Sequence, residues 1–433
     1  MNKEQTIEQL ITFIKKAVTP YHAVAAMVCQ LEDAGYIELD EKQSWDIKTG
    51  GKYYSTRNGS SIVAWQMPKD KALTQSGLRM IGAHTDSPCL KVKPNPEIQT
   101  KDYLQLGVQV YGGVLLAPWF DRDLSLAGRV TFENLEGSIK SILIDFCKPI
   151  AVIPSLAIHL NREANSGMKI NPQTMVTPLL GQNASGKKDT VFSFRGLLKD
   201  HLQALGEEVE QVLDFDLSFY DVQAPATIGL NDEFFASARL DNLLSCFMGL
   251  IALLTADSEE GVLLVCNDHE EVGSMSAIGA QGPMLEQVLS RLTSTVEQNT
   301  RMIANSMLIS ADNAHAVHPN FMDKHDENHG PLLNAGPVIK VNANQRYATN
   351  DITSAMFRQF AAKVDASVQV FVVRADMACG STIGPITAAE LGVKTLDIGV
   401  PQFAMHSIRE LAGCEDVLKT IEILKYFVKQ EEV

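Results

Sequence analysis

Cysteine is scarce and dispersed: seven residues stand at 29, 89, 147, 246, 266, 379 and 414, with no C-x-x-C pair among them. An odd, scattered set, several of it inside apolar runs, speaks against a disulfide framework and suits reduced thiols in a cytoplasmic protein. Positive charge is short as well. Lys and Arg number 37 against 52 Asp and Glu, a net charge of -15, so nucleic acid and anionic membrane are excluded as main partners, though a local cationic pocket is not. No apolar run reaches the roughly 20 residues a bilayer requires. The longest, LLSCFMGLIALLTA from Leu243 to Ala256, reads as a buried core helix. A signal peptide is not expected either, because MNKEQTIEQLITFIKKAV sets Ile7, Leu10, Ile11, Ile14 and Val18 on one face of an amphipathic docking helix.

Three catalytic signatures are also missing. There is no G-x-S-x-G elbow. HEEVG at 269–273 lacks the second His of H-E-x-x-H, and GQNASGKK at 181–188 ends in Lys where a phosphate loop needs Ser or Thr, with no buried strand leading into it.

What is present is an ordinary globular composition, 45% hydrophobic and 21% charged over 433 residues, enough for two or three domains. Helix and strand signals alternate up to about residue 93, including the buried strand LRMIGAH. From 94 to 234 the pattern turns to short alternating strands such as YLQLGVQVYGG and GRVTFENLEGSIKSILIDF, and from 235 to 433 the alternation of strand and helix returns. The expected architecture is α/β: a mixed-sheet domain with helices on both faces, residues 1–93 and 235–433, interrupted by a β-rich domain.

Polar residues collect where apolar strands end. His84 and Asp86 close LRMIGAHTD, Glu270 and Glu271 follow VLLVCN, Asp312 and His315 follow MLISADNAH, His406 lies beyond KTLDIGVPQFAMH, and Asp241 opens the core helix. Taken singly, His84 reads as a structural histidine, Asp241 as a helix cap and the glutamate pair as solvated surface. Their recurrence at strand ends, where ligands gather in an open α/β sheet, points instead to convergence. Imidazole and carboxylate are the donors of a two-metal site, whose ions sit about 3.5–4 Å apart, acidify a shared water and polarise a carbonyl while a non-ligand carboxylate takes the proton. Asp86 is placed to accept the second ring N–H of a ligating His84.

The motifs AHTDSP (83–88), NDHEEVGS, SADNAHAVHPN (310–320), GPVIKVNANQRYA (336–348) and MACGSTIGP (377–385) closely resemble the M18 family of metallo-aminopeptidases, in particular its aspartyl aminopeptidase branch. The resemblance implies Asp241 as the bridging ligand, His84 and Asp312 completing one metal site, Glu271 and His406 the other, and Glu270 as general base. It implies two divalent ions per subunit, zinc foremost, with cobalt or manganese as alternatives. It further implies that the β-rich domain mediates dimerisation, that dimers assemble into a hollow dodecamer, and that His159 reaches a neighbouring subunit's active site; a core histidine is the plainer reading of His159. His315 and Tyr347 match positions near the substrate. Lys340 interrupts the apolar stretch PVIKV, and a buried ammonium needs a partner: either an acidic substrate side chain or an internal ion pair.

The expectation is a cytoplasmic aminopeptidase removing N-terminal Asp or Glu from peptides. The alternatives are an M18 enzyme preferring neutral residues such as Leu, an amidohydrolase acting on acylated amino acids, and a self-assembling scaffold with a vestigial site.

Overall fold

The computed structural model describes residues 3–183 and 192–433. Residues 184–188 of GQNASGKK therefore lie outside the described residues; Leu179–Gln182 ahead of them is an edge strand. The chain divides into two compact units. One contains Met1–Ser87, Pro225–Met405 and Glu410–Val433, and the other contains Pro88–Ala224 and His406–Arg409.

The first unit is built on a nine-stranded mixed sheet. Four strands at its centre run parallel, in the order Gly261–Asn267, Leu78–His84, Met307–Ala311 and Lys394–Gly399. The first three of these strands are buried along their whole length, as expected for a parallel strand covered on both faces. Period-two alternation divides their side chains between two cores. Val262, Leu264 and Cys266 join Ile81, Ala83, Met307, Ile309 and Ala311 under the helices Lys3–Lys16, Pro20–Asp33, Leu240–Leu254 and Cys414–Phe427. Leu263, Val265, Leu78, Met80 and Leu308 point the other way, against Met284, Leu285, Val288 and Leu289 of the helix Met284–Arg291. Each such fully buried Val or Leu contributes about 1.5–3 kcal/mol of transfer free energy.

The apolar run at 243–256 forms a core helix, Leu240–Leu254, buried from Leu240 to Leu253. Gly249 lets it sit on the sheet: a Cβ there would lie 2.7 Å from Leu264 Cδ1 and 3.0 Å from Ile81 Cγ2. Two helices, Met284–Arg291 and Val296–Ala304, follow the strand Gly261–Asn267 in the chain. A smaller five-stranded sheet, in the order Ala226–Ile228, Phe234–Ser237, Glu410–Gly413, Pro401–Phe403 and Ala314–His315, also belongs to this unit. It draws residues 225–234 back from the β-rich region, because Phe234–Ser237 pairs with Glu410–Gly413 from the far end of the chain.

The second unit is a six-stranded antiparallel sheet in the order Ile139–Asp145, Leu124–Asn134, Val209–Asp221, Cys89–Thr100, Tyr103–Tyr111 and Leu179–Gln182. Its one α-helix among the described residues, Phe194–Ala204, starts at Ser193, whose hydroxyl accepts from Gly196 N at 3.0 Å. That helix buries Phe194, Leu198 and Leu202, an i, i+4, i+8 stripe, in the core of the sheet. No helix among the described residues is long and apolar enough to cross a membrane.

Candidate active site

In-register pairing of the three central strands decides where their ends fall. Asn267 pairs with His84, and Ser310 with Gly82, so the segments carrying Glu270–Glu271, His84 and Asp312 emerge at one edge of the sheet. The chain then turns sharply. His269 adopts a left-handed backbone conformation (φ 62°), as does Gly273 (φ 97°), with the two glutamates in a short 3-10 turn between them. Asp86 holds that turn: its Oδ1 accepts from Glu270 N at 3.2 Å and its Oδ2 from Glu271 N at 3.1 Å. The same carboxylate lies 3.3 Å from His84 Nδ1, so one fully buried Asp orients both the imidazole and the glutamate pair.

The opposite ring atom, His84 Nε2, faces carboxylates: Asp241 Oδ1 at 3.4 Å, Asp312 Oδ1 at 3.6 Å and Glu270 Oε2 at 4.0 Å. One donor atom from each of His84, Asp241 and Asp312 lies within 4.8 Å of the others, and His84, Glu270 and Glu271 form a second such group. Asp241 is carried into the site by irregular backbone. Arg239 is left-handed (φ 59°) and Asp241 itself is non-helical, so its side chain points into this cluster instead of capping the core helix.

Electrostatics follow from the crowding. Burial, reinforced by Asp312, Asp241 and Asp86 and opposed by His84, pushes the Glu270 carboxyl up to about 8. Burial likewise raises Glu271 well above the carboxylate range, with Asp241 adding to it. Burial acts to lower His84, but its contacts with Asp241, Asp312 and Asp86 outweigh that and hold it well above the ordinary imidazole value. Buried like charges of this kind repel, and a divalent cation relieves the repulsion. Nitrogen and oxygen donors of this type suit zinc.

The ammonium of Lys340 has its partner within the chain. Nζ donates to Asp312 Oδ2 at 3.1 Å and to the Asn313 carbonyl at 3.0 Å, lies 5.1 Å from the centroid of the Tyr347 ring, and is 3% exposed. This is the internal ion pair of the two alternatives for that residue. His315 lies beyond Asp312, and desolvation together with the Lys340 charge pushes its pKa down. It opens onto a cavity of about 310 Å³ also lined by His318, Lys324, His325, Arg374 and Phe403.

In the second unit, His159 is exposed at a turn and is no core histidine. His406 belongs to the short segment grouped with that unit, with a left-handed backbone (φ 67°) and its Nδ1 3.1 Å from the Gly113 carbonyl.

Residues 13–428 match the family model for Aminopeptidase I zinc metalloprotease (M18). The chain belongs to the M18 family. It is 59% identical over 425 residues to a probable M18 family aminopeptidase 2 of Pseudomonas putida, covering 98% of each chain. Among solved structures, the fold matches that in a cryo-EM structure of the Ape4 and Nbr1 complex with a TM-score of 0.94 and 37% identity, covering 98% of this chain and 86% of that one. The Saccharomyces cerevisiae mApe1 dodecamer matches with a TM-score of 0.84 and 30% identity, covering 98% and 96%. The protein is thus an M18 metallo-aminopeptidase with the α/β dinuclear metallopeptidase fold, and its family is one of zinc enzymes.

Sequence reasoning passed over the residues that hold the site's backbone, Ser87, Asn313, Gln402 and Glu410. Ser87 Oγ donates to the Asp241 carbonyl at 2.6 Å, and Glu410 Oε2 accepts from Leu240 N at 2.6 Å. Ser87 and Asn313 lie within motifs already singled out; Glu410 had a signal too, a carboxylate opening the apolar strand ELAG.

Proposed function

We propose that this M18 aminopeptidase works with two zinc ions, Asp241 bridging them, His84 and Asp312 completing one site, Glu271 and His406 the other, and with Glu270 as general base. The observation that carries the reading is the convergence of His84, Asp241 and Asp312 within 4.8 Å, with the raised Glu270 carboxyl 4.0 Å from His84. When bound, zinc supplies the positive charge that acidifies the attacking water and polarises the scissile carbonyl. Glu270 takes the proton from that water and delivers it to the leaving amine. Glu270 stands beside the cluster, its Oε2 4.0 Å from His84 Nε2, and Asp86, accepting from Glu270 N, sets where it stands. His84 is kept in one orientation by Asp86, which leaves Nε2 for the metal side.

For specificity the reading is a preference for N-terminal Asp or Glu. It is supported by Lys324 and Arg374 in the lining of the cavity beside His315, each of which has a carboxylate neighbour of its own, Asp323 and Asp376, that an acidic substrate side chain would compete with. A second reading, a preference for neutral residues such as Leu, is favoured by the Lys340–Asp312 pair, which commits that ammonium internally. Hydrolysis of Asp-, Glu-, Leu- and Ala-anilides by zinc-restored enzyme separates them: release confined to Asp and Glu upholds the acidic preference, and release of Leu in its place overturns it.

The second unit is proposed as the dimerisation domain of a cytoplasmic homo-oligomer, a dodecamer built from dimers. Around His159, Leu156, Ile158 and Leu160 are exposed by 58%, 44% and 76%, an apolar group of the kind a second copy covers. In that assembly His159 reaches a neighbouring active site. Sedimentation of the wild type checks the assembly, and a monomer at micromolar concentration would refute it.

A further inference from the structure

Asp241 enters the site on irregular backbone, so its peptide groups cannot be satisfied by helix or sheet and need side-chain partners. Those partners form a closed circuit. Glu410 Oε2 accepts from Leu240 N at 2.6 Å and Asp241 N at 3.2 Å, while Glu410 Oε1 accepts from Gln402 Nε2 at 3.3 Å. Gln402 Oε1 in turn accepts from Asn313 Nδ2 at 2.8 Å, and Asn313 Nδ2 also donates to the Leu240 carbonyl at 2.8 Å. Leu240, Asn313, Gln402 and Glu410 are each no more than 2% exposed.

The donor directions in such a ring are not independent. Glu410 accepts with both oxygens, which obliges Gln402 to present its amide N–H to Glu410 and its oxygen to Asn313. Asn313 is thereby left with its amide nitrogen toward Gln402 and the Leu240 carbonyl. With an amide at position 410, one of its ends becomes a donor. That donor faces either the N–H groups of Leu240 and Asp241 or the N–H of Gln402. Turning Gln402 over then sets its nitrogen against that of Asn313, and turning Asn313 over sets oxygen against the Leu240 carbonyl. One mismatched, buried contact persists in every arrangement.

We propose that Glu410, through Gln402 and Asn313, is a positioning residue for the metal centre: the ring locks the Leu240–Asp241 peptide and so fixes where the Asp241 carboxylate stands. This rests on the reading of Asp241 as a zinc ligand. Glu410 touches neither substrate nor reacting atoms and acts only through Asp241. Gln402 and Glu410 stand on neighbouring antiparallel strands of the small sheet, which gives the ring a rigid frame.

The test compares zinc affinity, by competition with a chromogenic chelator, in wild type, Glu410→Gln, Asp241→Asn and the exchanged double variant Gln402→Glu/Glu410→Gln. In the double variant the amide and the carboxylate trade places. The amide at position 410 would donate across to the carboxylate at position 402, and that carboxylate would accept from Asn313 as the Gln402 oxygen does now. Asn313 would keep its present direction. Glu410→Gln is expected to weaken zinc binding about 10–100-fold, the usual cost of losing an outer partner of a metal ligand. The exchange is expected to restore it. Wild-type affinity in Glu410→Gln alongside loss in Asp241→Asn overturns the ring alone, as does failure of the exchange to restore binding. Wild-type affinity in Asp241→Asn overturns the ligand reading and the ring with it. Should Glu410→Gln not accumulate as folded protein, recovery of folded, zinc-binding protein in the exchanged variant supports the ring, and no recovery overturns it.

Discussion

Stripping the metal should make the protein's stability fall as pH rises through neutrality. Burial and the carboxylates of Asp312, Asp241 and Asp86 raise the Glu270 carboxyl to about 8, from an ordinary value of 4.5. Its side chain is only 14% exposed, so solvent does little to discount the effect. Between those two values the folded chain keeps a proton that the unfolded chain has lost, so folding is favoured at the acid end and the advantage drains away as pH climbs. Each pH unit in that window removes about 1.4 kcal/mol per such group, or about 2–3 kcal/mol between roughly pH 5.5 and 7.5. His84, also raised, acts with the same sign over the upper part of the window, because its folded-state proton is likewise held after the unfolded chain releases it. Carboxyls with lowered values, such as Asp121 and Asp376, exert their effect below the window, and the lowered imidazole of His315 acts with the opposite sign at its acid end, a contribution that the comparison with Glu270→Gln cancels. The assay is urea unfolding of chelator-treated protein at fixed protein concentration, for wild type and Glu270→Gln. Wild type should lose stability over the interval, Glu270→Gln should lose about 2–3 kcal/mol less, and added zinc should flatten the wild-type curve by displacing the proton. A wild-type curve that is flat or rises, or one matched by Glu270→Gln, would overturn the raised Glu270 carboxyl as the cause.

Asp86→Asn replaces an acceptor that serves Glu270 N, Glu271 N and the His84 ring, and zinc affinity should fall about 10–100-fold in chelator competition. Glu271→Ala should lower zinc occupancy of purified protein, measured by elemental analysis against wild type. Gly249→Ala puts a methyl 2.7 Å from Leu264 Cδ1 and should cost about 1–3 kcal/mol in urea unfolding, with zinc content unchanged per folded chain.

The strand ends that build the site were legible because fully buried parallel strands stand out as short apolar runs, and titratable residues recurring at the ends of several such runs point to convergence, although each alone has a structural reading. LRMIGAH, GVLLVCN and MLISA therefore announced His84, Glu270, Glu271 and Asp312 together. Less legible was anything set by distant pairing. The return of residues 225–234 to the first unit depends on Glu410–Gly413, far along the chain, and no local pattern in Phe234–Ser237 reports that partner. The helix Phe194–Ala204 did carry a local signal, a Ser cap and an i, i+4, i+8 apolar stripe, obscured by the polar stretch before it. Lys340 shows the limit most plainly: a charge inside PVIKV signals that a partner exists, but only the fold identifies it as Asp312. The ring through Asn313, Gln402 and Glu410 was out of reach for the same reason, since hydrogen-bond direction is a property of three-dimensional neighbours.

One comparison separates metal holding from proton transfer at the glutamate pair. Zinc content and anilide turnover are measured side by side on metal-restored wild type and Glu270→Gln. Equal zinc is expected in the two proteins, with turnover lowered about 10²–10⁴-fold in the variant, the usual worth of a positioned general base. Turnover that survives the substitution, or zinc lost together with it, would contradict Glu270 as the base.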